Sequence, residues 1–172
     1  QIEDGRLPGP VGTDQTGDQP ALQAEVEPFH GADPAEALGQ RLRNATDDSI
    51  ERAFTEGSIL RTHVMRPTWH FVTPADIRWM VKLTASRVNA RMAASHRKYE
   101  LDQKVFSRSN AALEKALLGG KQLTRNELRV ALERAGVPTD DPVRASHIMM
   151  RAELDGLVCS GARSGKQFTY AL

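Results

Sequence analysis

The chain has 172 residues and a mass of 19.0 kDa, enough for one domain or two small ones around a real core. Hydrophobic residues at 40% and charged residues at 26% are the proportions of a soluble globular protein, and no apolar run approaches the ~18 residues of a membrane span. A single cysteine, Cys159, excludes an intrachain disulfide and a thiolate metal cluster, so no metal site and a reducing, cytoplasmic setting are expected.

The net charge of +1 conceals a split. Residues 1–40 hold eight acids (Glu3, Asp4, Asp14, Asp18, Glu25, Glu27, Asp33, Glu36) and one base, Arg6, which leaves 22 bases against 14 acids in the remainder. A basic body behind an acidic leader favours polyanionic partners, and a solvated basic surface is the plain alternative. The opening QIEDGRLPGP has neither the basic nor the apolar region of a signal peptide.

In chain order, residues 1–33 read as an acidic tail or linker, rich in Gly and Pro at its start. Asp33-Pro34 opens a short helix, and Thr46, followed by Asp47 and Asp48, caps a second that ends at Gly57. SILRTHVM then alternates as a strand, Arg66-Pro67 turns it, and TWHFV returns. Thr73-Pro74-Ala75-Asp76 starts a helix with Thr73 as its cap, an apolar stripe from Ile77 to Met92 and bases elsewhere. These elements make a first unit at residues 34–100.

A second unit follows at residues 101–172. Ser109–Leu118 is expected as a helix ended by Gly119-Gly120, and Thr124 to Glu127 is a complete capping box for another. Asp141-Pro142 begins a third helix, and residues 157–162 and 167–172 form a hairpin around a turn at Arg163–Lys166. Three helices and a hairpin are the order of a winged helix-turn-helix, whose later helix enters the major groove. On that helix Arg144, His147 and Arg151 share a face by spacing, with His147 equally readable as a core or capping histidine. Arg163 and Lys166 at the hairpin tip are placed to reach phosphates. Trp69 and Trp79 read as core anchors or as stacking platforms. The glycines mark turns and form no nucleotide-binding loop, so no nucleotide cofactor is expected.

The run LRTHVMRPTWHFVTPADIRWMVKLTASRV resembles the winged-helix DNA-binding and DNA-glycosylase-like family, which includes bacterial glycosylases acting on alkylated and interstrand-crosslinked DNA. Arg61, Arg66, Thr68, Trp69, His70, Asp76 and Trp79 carry the likeness, which extends over roughly residues 38–172. It implies a mainly α chain with small β-hairpins, built as tandem winged helices. It also implies double-stranded DNA as partner, with Arg61, Arg66, His70 and Arg78 of the first unit joining Arg144, His147, Arg151, Arg163 and Lys166. Glycosylases of the family carry a Gln-aliphatic-Gln or Gln-aliphatic-Asp motif near the N-terminus. Its nearest counterpart here is Gln23-Ala24-Glu25, where a carboxylate could stabilise charge at the sugar and activate water. The expected function is a DNA-binding winged-helix protein, a short member or a fragment. A monofunctional glycosylase is the alternative, and a protein-interaction scaffold is the second.

Overall fold

The computed structural model describes residues 46–165 and 167–172, so the leader, the helix expected after Asp33, Gln23, Glu25 and Lys166 lie outside the described residues. Helix α1 (Asp47–Thr55) starts where its cap chemistry says. The Thr46 hydroxyl accepts the Ser49 amide, and the Ser49 hydroxyl accepts the Thr46 amide in return. Strands β1 (Leu60–His63) and β2 (Trp69–Val72) pair antiparallel, with Leu60 opposite Val72 and His63 opposite Trp69.

Helix α2 (Ile77–Lys98) begins later than its expected Thr73 cap. The Thr73 hydroxyl donates to the Asp76 carboxylate at 2.7 Å instead of accepting a helix amide, and Trp79 Nε1 donates to the same carboxylate at 2.8 Å. Both bonds hold the Asp76 carboxyl below its ordinary pKa, the Thr73 bond most. Helix α3 (Gln103–Leu117) starts at Gln103 rather than Ser109, because Asp102 accepts the Val105 amide and caps it.

The remainder follows the expected order, with one short strand added. Strand β3 (Leu123–Thr124) precedes α4 (Arg125–Arg134), whose capping box joins Thr124 to Glu127. Helix α5 (Pro142–Leu154) has Asp141 accepting the Val143 and Arg144 amides. The hairpin β4 (Cys159–Ser164) and β5 (Gln167–Ala171) takes β3 on its β5 edge, giving a sheet in the order β3-β5-β4. Gly161 lies in the bulge of β4, where an added Cβ would come within 2.6 Å of Gln122 Oε1. Among the described residues the fold is mainly helical with small antiparallel sheets.

One large apolar cluster joins α3, α4, α5 and the three-stranded sheet through Leu113, Leu128, Leu132, Ile148 and Tyr170. Two smaller clusters tie the earlier elements to it. Phe54 of α1 packs edge-on against Phe168 of β5, ring centroids 5.0 Å apart. Val88 and Met92 of α2 pack on Met150 and Leu154 of α5. Strand β1 is thereby covered on both faces, so Arg61, Thr62 and His63 are buried in succession rather than alternately.

Candidate nucleic-acid interface

Helix α5, expected to read the major groove, lies in the middle of the molecule. Residues 147–150 and 152–154 are buried without a break in either run, which wraps cover around the whole helix. His147 is 3% exposed, between the rings of His96 and Tyr99 at centroid distances of 5.6 Å and 5.4 Å. Burial drives its pKa down to about 4, with His96 adding repulsion. Arg144 donates from Nε to the Tyr99 carbonyl and from Nη1 to the Pro138 carbonyl. Arg151 pairs with Asp155 at 2.8 Å and lies over the Phe106 ring. Of the three residues expected on one face, His147 is therefore buried, while Arg144 and Arg151 are half-buried and bonded within the protein, with α2, α3 and β1 packed around α5.

Two more residues expected as contacts are buried. Arg163 belongs to strand β4, not to the turn, and its side chain is 5% exposed with Nη1 3.0 Å from Glu51 of α1. Arg61 is buried with its guanidinium 4.2 Å from the Trp69 ring and 4.0 Å from the Phe168 ring. Desolvation lowers the Arg61 pKa, opposed by neighbouring Tyr170 and Glu153. The Arg61 amide donates to Ser160 Oγ at 2.7 Å, and the His63 amide to Glu153 Oε2 at 3.0 Å. Glu153, 1% exposed, also meets His63 Nδ1 in a close side-chain contact. Arg125 completes this junction, donating to the Tyr170 hydroxyl and lying 5.4 Å from the Trp69 ring.

Sequence reasoning missed Glu153, Ser160, Arg125 and Tyr170. Only Glu153 carried a signal: it lies four residues after Met149 on the apolar stripe, and an acid there requires a buried partner.

The exposed bases lie elsewhere. Arg66 is exposed between β1 and β2, and Arg78 is exposed in the first turn of α2. Along its 22 residues α2 carries Arg78, Lys82, Arg87, Arg91, Arg97 and Lys98, all exposed, and no acid. None of these six takes part in an ion pair among the described residues. Trp79 is 53% exposed on the same helix. His70 is half-buried, and its pKa is lowered mainly by burial, with Arg66 and His63 contributing repulsion, so the ring is neutral at pH 7. Among the described residues no group of three His, Cys, Asp or Glu side chains is assembled that could hold a metal.

Residues 20–172 match the family described as DNA glycosylase AlkZ-like. The chain belongs to this family. The resemblance carried by Arg61, Arg66, Trp69 and His70 is thus confirmed at family level. Among solved structures, the Streptomyces sahachiroi DNA glycosylase AlkZ shares the fold, with a TM-score of 0.60 at 19% identity. That alignment covers 74% of this chain and 35% of AlkZ, so the AlkZ-like chain spans about a third of its structural neighbour. No curated protein matches the sequence. No described helix is long and apolar enough to cross a membrane.

Proposed function

We propose that this chain acts on DNA as a glycosylase, hydrolysing the bond between an alkylated or crosslinked base and its sugar. The reading of a non-catalytic duplex binder gives way to this alternative, which membership of the AlkZ-like glycosylase family supports. The family match also spans Gln23 and Glu25. In the proposed reaction the C1′–N bond breaks as C1′–O forms, and the base departs with the bonding pair. Glu25 stabilises the developing positive charge and takes the proton of the attacking water, while Gln23 orients that water. His70 and Arg66 hold the nucleotide, His70 through hydrogen bonding because its ring is neutral.

The observation that carries DNA as the partner is the acid-free exposed face of α2 beside the Arg66 turn. The bases that a recognition helix would present are engaged internally, so duplex DNA is proposed to lie along the β1–β2 turn and α2. The α3-β3-α4-α5-β4-β5 order, with sheet order β3-β5-β4, supports a winged helix whose third helix has become structural. We assign α1 and the β1–β2 hairpin to the end of a preceding winged helix. Base release from an alkylated duplex by the wild type and by Glu25→Gln tests the reading. Release that disappears in the variant while duplex binding persists is the expected result. Equal background in both retires the catalytic assignment and leaves a duplex binder.

A further inference from the structure

The turn between β1 and β2 is built in a way that neither packing nor backbone preference explains. Met65 has φ +59, a left-handed conformation that side chains rarely adopt. The Arg66 amide donates back to the Val64 carbonyl at 2.5 Å, closing a three-residue turn around Met65 in the rare, strained hand. Elsewhere the described residues reserve positive φ almost wholly for glycine, as at Gly57, Gly119 and Gly136, with Glu100 the other exception. Burial offers no compensation either, since Met65 is 50% exposed.

The strained residue is also held in place. Its amide donates to Thr84 Oγ1 of α2 at 3.1 Å, and that hydroxyl donates to the Met80 carbonyl at 2.8 Å. Directly before the turn, His63 is locked to the buried Glu153 of α5. Directly after it, Arg66 is exposed and Pro67 fixes its own backbone. An apolar side chain is thus presented on a rigid support beside an exposed cation, and strain of this kind concentrates at functional sites.

We propose that Met65 is an unstacking wedge, an apolar side chain that the hairpin turn inserts between adjacent bases of a DNA duplex while Arg66 holds the flanking phosphate. The inference rests on the reading of this chain as one that acts on DNA. Flexible apolar residues serve this purpose in proteins that open a base step, where the unstacked bases accept them in place of one another. Neutral His70, on the strand leaving the turn, then lies next to the opened step.

The test uses a duplex with a central 2-aminopurine, whose fluorescence rises when it is unstacked, and follows occupancy by anisotropy. The wild type is expected to raise the fluorescence at saturation. Met65→Gly, still occupying the duplex, should not raise it, and Met65→Leu should restore it. Thermal unfolding separates a wedge from a packing residue: Met65→Gly relieves the strained φ and should match or exceed the wild-type Tm. A clear fall in its Tm would make Met65 a packing residue and overturn the wedge. Wild-type binding without a fluorescence rise, or an equal rise with Met65→Gly, also overturns it while leaving the proposed function standing. Failure of the wild type to bind duplex at low salt removes both.

Discussion

Removing the Glu153 carboxylate would leave two polar groups of His63, the amide and Nδ1, buried without their partner. Breaking one side of such a buried pair costs about 3–5 kcal/mol, and Glu153→Ala should lose that much in urea unfolding. Glu153→Gln retains an acceptor and should lose clearly less; losses equal to those of Glu153→Ala would mean that the neutral acceptor contributes little and the carboxylate charge carries the contact. His147 gives a prediction in pH. Its folded pKa of about 4 lies below the unfolded value near 6.5, so the folded state favours the neutral ring. Stability from this source is complete above about pH 6.5 and is lost progressively as pH falls toward 4. His96, lowered mainly by burial and beside Arg151, acts in the same direction, while Asp141 opposes the shift at His147. Unfolding curves between pH 7.5 and 4.5 should therefore be flatter for His147→Phe than for the wild type, and parallel curves would exclude this contribution.

Among the elements, α2 and α5 differ in what their bases are free to do. Helix α5 reads as a basic recognition helix, yet its bases are occupied by the Tyr99 and Pro138 carbonyls and by Asp155. Helix α2 reads as an apolar stripe with bases elsewhere and Arg78 as a DNA contact, and it presents six bases to solvent with no acid. Salt dependence distinguishes the two. If Arg87 and Arg91 each neutralise a phosphate, replacing either with Gln should reduce the slope of log K against log salt by about 1. Arg144→Gln should leave that slope unchanged. The reverse pattern would return the interface to α5.

Across the whole molecule, two apolar clusters are shared between the halves of the chain. Phe168 of the C-terminal hairpin completes the cluster of Ile50 and Phe54 in α1, and Met150 and Leu154 of α5 complete that of Val88 and Met92 in α2. A change at this seam should be felt by both halves. Phe168→Ala is expected to cost about 3–5 kcal/mol and to preserve a single transition, seen together by far-UV circular dichroism and Trp fluorescence. Both tryptophans, Trp69 and Trp79, lie before residue 100, so two separated transitions would show that the halves fold independently.

Much of the framework is local and was legible in the residues. Thr46 with Ser49, Thr124 with Glu127 and Asp141 before Pro142 set helix starts through bonds spanning two or three residues. The family signature was legible for the same reason, because Arg61 to Trp79 is one continuous run. Thr73 shows the limit of local chemistry: the residue types of a cap were present, but Asp76 and Trp79 drew its hydroxyl into a side-chain network. What only the tertiary structure decided is which face of each element remains free. Arg61 and His63 are joined to Ser160 and Glu153 across 99 and 90 residues, separations over which periodicity carries no information. The same long-range packing surrounds α5 and leaves α2 and Met65 exposed, and so narrows the proposed DNA contact from both halves of the chain to the first.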